Sequence, residues 1–147
     1  MVSALSSVVA SALPRLSAIS EEAAAHKPAP DKWSTKETLG HLIDSAANNH
    51  QRLVRLQFER QIALPGYEQD GWVRAGRYQE TPWREIIALW VAYNRHLATI
   101  IDALDPSSLG HVWHSPGGDV TLEFIADDYV VHMRHHLAQI GIAFHEP

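Results

Sequence analysis

The chain has 147 residues, of which 46% are hydrophobic and 20% charged, a balance that is ordinary for one globular domain with one core. Its formal net charge of −5, without a cluster of Lys and Arg, argues against direct binding of nucleic acid. The lack of any cysteine excludes disulfides, thiolate metal sites and a cysteine nucleophile, whereas the chain has ten histidines.

The first predicted helix runs from about Val2 to Ile19, where apolar residues recur at helical spacing. The start of the chain lacks the positive charge of a secretion signal, so we expect a helix of the mature protein here. Pro14 is expected to kink this helix or to restart it. Because no apolar stretch reaches about 18 residues, we expect no membrane span and a cytoplasmic protein.

The second predicted helix opens at a capping box, in which Glu37 follows Ser34 by three residues and Trp33 can pack as a hydrophobic staple. This helix is expected to run to about Arg60. A polar stripe lies beside its apolar face rather than opposite it. Burying such groups unpaired would cost about 1 to 3 kcal/mol each, so the stripe predicts a cavity filled by water, metal or substrate. The stripe consists of His41, Ser45, Asn48 and Arg52.

An irregular segment is expected from about Gln61 to Glu80, and its length is typical of a functional loop such as a lid. Thr81 and Pro82 then predict the start of the third helix. Asn94 lies within the apolar stripe of that helix. It is either a satisfied core amide or a pocket residue, and the sequence leaves both readings open.

The segment from Val112 to Val120 contains a Ser-Pro-Gly-Gly-Asp turn, which is typical of a small β-hairpin. The fourth helix is expected from about Thr121 to Phe144. Since the pattern is helical with at most a minor strand pair, we predict an all-α protein. The expected architecture is a single four-helix-bundle domain over residues 1–147.

Two histidines of the fourth helix, His132 and His136, are four residues apart and lie about 40° apart on one face of the helix. His135 projects about 160° away from the apolar stripe and is expected to be exposed. Together with His41, the pair can hold a divalent metal and leave a coordination position open. The alternative is that these residues are ordinary surface or core histidines, as most helix-borne histidines are.

Longer motifs in the same regions resemble a known family. The segments 33–37 and 40–45 resemble the second-helix signature of the DinB/YfiT-like metalloprotein superfamily, and the segment 129–140 resembles its last-helix signature. Asn48, Arg52 and the loop from Pro65 to Trp72 also match the YfiT-type branch. The resemblance extends roughly from residue 33 to residue 140.

The resemblance implies a four-helix bundle with up-down-down-up connections, often a homodimer, that holds zinc or nickel through three histidines. These match His41, His132 and His136. Many members are described as metal-dependent hydrolases. Better-understood relatives are transferases or isomerases that use a low-molecular-weight thiol such as mycothiol, bacillithiol or glutathione.

A metal in such a site would lower the pKa of bound water or of a thiol cosubstrate, so the function predicted is a metal-dependent enzyme acting on a small molecule. Thiol transfer is favoured slightly over hydrolysis. Arg52 can bind a substrate carboxylate through its planar guanidinium group, and Asn48 or Tyr129 can hold a metal-bound water or a substrate. Because no glutamate lies between the two histidines of the last helix, peptidase activity is not expected.

Asp44 and Asp128 lie about one turn from His41 and His132 and could orient these ligands by accepting a ring proton, although solvated carboxylates are the more ordinary reading. The competing functional class is a non-enzymatic binding or stress-response module, in which the metal only ties two helices together. A helical interaction scaffold without metal is a third.

Overall fold

The computed structural model describes residues 3–144, so the predicted helix start at Val2 lies outside the described residues. The chain is mostly helical, with a β-hairpin before the last helix, as predicted. Short 3-10 turns at Tyr78–Glu80 and Pro106–Ser108 punctuate the connections. The elements in chain order are α1 (Ala4–Ser17), α2 (Glu21–Ala25), α3 (Thr35–Arg55), β1 (Gln61–Ile62), α4 (Gln69–Gly76), α5 (Trp83–Asp102), β2 (Val112–Ser115), β3 (Gly118–Thr121) and α6 (Leu122–Gln139).

The long helices α1, α3, α5 and α6 form a four-helix bundle, which confirms the predicted architecture. Helix α3 packs against α5 and α6, and α1 packs against the same two helices, so α1 and α3 occupy opposite corners. A long connection over residues 56–82 joins α3 to its neighbour α5. Such a connection is needed when two adjacent helices of a bundle run in the same direction, because the chain must return along the length of the bundle between them. Within the described residues, no helix is both long enough and apolar enough to cross a membrane.

A buried polar pair in the bundle core, Asn94 and Tyr129, decides between the two interpretations of Asn94. This residue is fully buried, and its Nδ2 donates to the carbonyl oxygen of Trp90 at 2.8 Å. Its Oδ1 accepts a hydrogen bond from the hydroxyl of Tyr129 at 2.5 Å. Asn94 is therefore a satisfied core amide that links α5 to α6.

The ends of the two site-bearing helices follow from local hydrogen bonds. The capping box at Ser34 and Glu37 is present at the start of α3, as predicted. Helix α3 ends at Arg55 rather than near Arg60, because the chain turns there toward β1. Helix α6 ends at Gln139 rather than at Phe144. Gly141 adopts a φ of 86° and closes a Schellman-type cap there, in which the amide of residue 142 bonds the carbonyl of residue 137 at 2.9 Å.

The segment from Gln61 to Glu80 is more ordered than the sequence predicted. Strand β1 pairs in parallel with β2, and β2 pairs antiparallel with β3, so the hairpin becomes a three-stranded sheet. Helix α4 follows. A two-residue strand and a helix with one buried side chain, Val73, carry too little periodicity to be recognised from sequence.

Candidate metal centre

Helices α3 and α6 pack side by side and bring three histidines together. His41 on α3 is fully buried, whereas His132 and His136 on α6 are half-buried. The Nε2 atom of His132 lies 3.5 Å from Nε2 of His41 and 3.1 Å from Nε2 of His136. The three residues that the sequence singled out as metal candidates therefore surround one point, and we call them the triad.

The spacing of these nitrogens fits a divalent cation. Nitrogen ligands of a tetrahedral zinc, at 2.0–2.1 Å from the ion, are about 3.3–3.4 Å apart, which lies between the two observed separations. A hydrogen bond alone does not account for the arrangement. The Nε2 of His132 faces two other nitrogens, and a single ring hydrogen satisfies only one of these contacts. A cation would satisfy all three lone pairs at once.

The surroundings keep the triad imidazoles neutral. Burial, followed by the charges of His136 and His132, lowers the pKa of His41 to about 4. Burial and then His136 lower the pKa of His132 to about 4, although Asp128 acts in the opposite direction. Burial also lowers the pKa of His136. At neutral pH the three rings therefore carry free lone pairs, which is the form that binds a metal.

Two neighbours hold the rings of the triad. The Nδ1 of His136 lies 2.9 Å from Oε1 of Gln139, which accepts its hydrogen and leaves Nε2 directed at the other histidines. The Trp33 ring lies against the triad, with centroid distances of 4.9 Å to His41 and 6.4 Å to His136. The sequence predicted a helix staple at Trp33 but not its contact with the triad. Its position directly before the cap of the helix that carries His41 was the available signal.

Asp44 does not orient His41. Its Oδ1 accepts a hydrogen bond from the hydroxyl of Tyr78 at 2.6 Å, and it is buried rather than solvated. Burial raises the pKa of Asp44, and the Tyr78 hydrogen bond opposes this shift. The Nδ1 of His41 has no hydrogen-bond partner within residues 3–144. Asp128 is exposed and influences His132 through its charge.

A cavity of about 180 Å³ lies beside His132, between α3, α6 and the sheet. Arg52 and Tyr129, two of the predicted catalytic residues, line it, whereas Asn48 does not. Asn48 lies on an outer groove of about 1120 Å³, which also includes Arg52, and its Nδ2 donates to the carbonyl oxygen of Asp44 at 2.9 Å. The polar residues around the cavity are Ser45, Asn49, Arg52, Tyr67, Asp128, Tyr129 and His132.

Asn49, which the sequence did not single out, lines this cavity beside Ser45 and Arg52. Residues 45, 49 and 52 follow the i, i+4, i+7 spacing of one helix face, and this was the signal that could have identified Asn49. Tyr129 contributes its ring to the cavity wall. Its hydroxyl hydrogen is engaged by Asn94, and burial raises its pKa, so it remains a neutral phenol.

Two similar proteins carry related descriptions. A protein of Oceanobacillus iheyensis, provisionally named a metal-dependent hydrolase, is 24% identical over 109 residues, which are 74% of this chain and 63% of that protein. The chain thus spans slightly less than two thirds of this relative. The solved structure of YfiT from Bacillus subtilis, described as a probable metal-dependent hydrolase with an unusual four-helix bundle topology, matches with a TM-score of 0.82 at 20% identity. The match covers 94% of this chain and 80% of YfiT.

A second solved structure has the same fold. The DinB-like protein YjoA from Bacillus subtilis matches with a TM-score of 0.65 at 19% identity, over 95% of this chain and 85% of that chain. A family model described as the DinB superfamily matches residues 4–140, which include every element of the bundle. Because this match spans nearly the whole chain, it decides the family. The chain belongs to the DinB superfamily.

Proposed function

We propose that the protein is a metal-dependent enzyme that activates a small nucleophile, either water or a low-molecular-weight thiol, for reaction with a small-molecule substrate. The observation that carries this proposal is the convergence of three neutral imidazole nitrogens from two helices beside a cavity. His41, His132 and His136 would hold the cation, with zinc or nickel the best candidates. When bound there, the cation supplies Lewis-acid activation at its open position.

Other residues of the chain would orient the metal ligands, accept a proton and contact the substrate. Gln139 would hold the ring of His136, and Trp33 would pack against the rings of His41 and His136. Asp128 is the only carboxylate among the described residues that line the cavity, so we assign it the role of accepting the proton that the nucleophile loses. Asn48 lies outside this cavity and would contact substrate only from the outer groove.

Both nucleophiles have support. The descriptions of the relatives favour water, and therefore hydrolysis. The resemblance to members that use mycothiol, bacillithiol or glutathione favours a thiol, which would have to come from a cosubstrate because the chain has no cysteine.

Metal analysis tests the triad. Protein isolated without added metal is expected to contain about one divalent cation per chain, and His41→Ala and His136→Ala are expected to lose it. His135→Ala is the matched control, because this exposed histidine lies beside His136 on the same helix. Metal retained in both triad variants would rule out the triad as the metal site, and a lack of metal in the wild type would favour the interaction scaffold without metal.

Activity assays then separate the nucleophiles. Metal-loaded protein is offered the three candidate thiols with monochlorobimane as electrophile, and in parallel a panel of small esters and amides. Conjugation that His136→Ala abolishes would establish thiol transfer, and ester or amide cleavage lost in the same variant would establish hydrolysis. Metal binding without activity in either panel would favour a non-enzymatic, metal-stabilised module.

A further inference from the structure

Arg52 is a buried cation in the cavity beside the triad. The residue is only 6% exposed, and none of the ion pairs found in the described part of the chain includes it. Removing an unpaired charge from water is strongly unfavourable unless other contacts compensate. Arginine also keeps its charge under all ordinary conditions. The position therefore requires a physical explanation.

The contacts of Arg52 fix its plane but leave part of its hydrogen-bonding capacity unused. The guanidinium carbon lies 3.6 Å from the ring centroid of Trp113, which is a stacked cation–π arrangement. The Nη1 atom donates to Oδ1 of Asn49 at 3.2 Å. The Nε atom has no hydrogen-bond partner among residues 3–144. Trp113 and Asn49 thus fix the position of the guanidinium group, while its Nε–H remains available as a hydrogen-bond donor.

The cavity around this guanidinium group favours an anion of a particular kind. Its volume of about 180 Å³ limits the ligand to a small molecule. Its apolar walls come from Phe124 and Ile125 of α6 and from Trp113 of β2. Asp128 lines the same cavity and disfavours a second negative charge on the ligand. A singly charged, planar acid group on an apolar body meets these conditions better than a phosphate.

We propose that Arg52 binds the carboxylate of a small organic acid with an apolar or aromatic body, and that this acid is the substrate class of the site. A carboxylate accepts two parallel N–H bonds from a guanidinium fork, which supplies the missing counter-charge. The inference rests on the proposed function, because His132 lines the same cavity and the triad would act on another part of the bound acid.

Binding of benzoate to the purified, metal-containing protein, measured by calorimetry, tests this proposal. We expect benzoate to bind at least tenfold more tightly than its uncharged analogue benzamide, and more tightly than inorganic phosphate. Arg52→Gln should weaken benzoate binding at least tenfold, and Arg52→Lys should recover part of it by restoring the charge without the fork. Arg55→Gln, an exposed arginine on the same helix, is the matched control and should bind like the wild type.

Three further results complete the test. Equal affinity for benzoate and benzamide in the wild-type protein would overturn the proposal without any variant, even if Arg52→Gln failed to fold. Benzoate binding that survives in Arg52→Gln but disappears in His136→Ala would also overturn it, because the acid would then bind at the triad. If the wild type contains no metal but binds benzoate through Arg52, the proposed enzymatic function fails while the carboxylate site stands.

Discussion

The protonation of three imidazoles decides what the candidate site can do. His41 is fully buried, and no carboxylate among residues 3–144 is hydrogen-bonded to its Nδ1, so desolvation outweighs any favourable charge. His132 gains something from Asp128, but burial and the neighbouring rings prevail. The triad is therefore ready to bind a cation at neutral pH without first releasing protons.

This protonation predicts how the stability of the metal-free protein depends on pH. The pKa values of His41 and His132 are about 4 in the folded protein and about 6.5 in an unfolded chain, so the unfolded chain binds more protons between these values. The free energy of unfolding should be at its plateau above pH 6.5 and should fall as the pH decreases toward 4. Urea titrations of the chelated protein at several pH values measure this slope.

A variant separates the triad from other groups that titrate in this range. His41→Gln should show a shallower decrease between pH 6.5 and 4 than the wild-type protein. The same slope in His41→Gln as in the wild type would mean that His41 is not held neutral by the fold.

Asp128 provides a second prediction for a single residue. Because it is exposed and does not coordinate in the proposed site, Asp128→Asn should keep the metal content of the wild type. Loss of the proton acceptor should lower kcat by roughly 10²-fold or more. An unchanged kcat would assign proton transfer to solvent instead.

The sequence identified the residues that stand out by spacing and missed those that act through contact. His132 and His136 were found because a four-residue interval places them on one face, and the longer motifs linked them to His41. Trp33 precedes its helix, so helical periodicity does not predict its contact with His41. The partner of Asp44 could not be anticipated either, because Tyr78 reaches it from a distant part of the chain.

At the level of elements, the long helices were predictable and the connection between α3 and α5 was not. Amphipathic helices such as α5 carry their signal over several turns, so only their ends were misplaced. Strand β1 has two residues and depends on pairing with β2, 51 residues further along the chain. Tertiary contacts rather than local periodicity determine such short elements.

Gly40 on α3 allows Tyr78, a residue of the connection between α3 and α5, to pack closely against the helix beside the triad. A Cβ atom at Gly40 would lie 2.1 Å from Cδ2 and 2.3 Å from Cγ of the Tyr78 ring. Gly40→Ala should therefore displace Tyr78 and leave the carboxylate of Asp44 buried without its hydrogen bond. We expect a net loss of roughly 1–3 kcal/mol in the free energy of unfolding, despite the gain of about 1 kcal/mol in helix propensity.

Chemical denaturation measures this loss, and the chain provides a matched control. Gly110→Ala introduces the same methyl group where, its two chain neighbours aside, no atom of residues 3–144 lies within 4 Å, so its stability should stay within about 0.5 kcal/mol of the wild type. Tyr78→Phe removes only the hydrogen bond to Asp44, so its free energy of unfolding should lie between those of Gly40→Ala and Gly110→Ala. A Gly40→Ala protein as stable as Gly110→Ala would show that Tyr78 can shift without cost.

At the scale of the whole molecule, the triad connects two helices that the core already holds together. Leu42 and Leu53 of α3 and Met133 and Leu137 of α6 all belong to the buried apolar core, independently of any ion. Because this core does not depend on the triad, we expect the bundle to fold without a cation. This distinguishes it from small zinc domains, which do not fold without their metal.

Removal of the metal should therefore lower the melting temperature only moderately. A cation present at 100 times its Kd stabilises the fold by about 2.7 kcal/mol, which for a chain of this length corresponds to about 5–10 °C. We expect chelation to produce a shift of this size in the wild type and in His135→Ala, and none in His136→Ala, while far-ultraviolet circular dichroism stays helical. Unfolding on chelation would instead mean that the cation serves as a structural tie between α3 and α6, and the non-enzymatic module would become the better account of this protein.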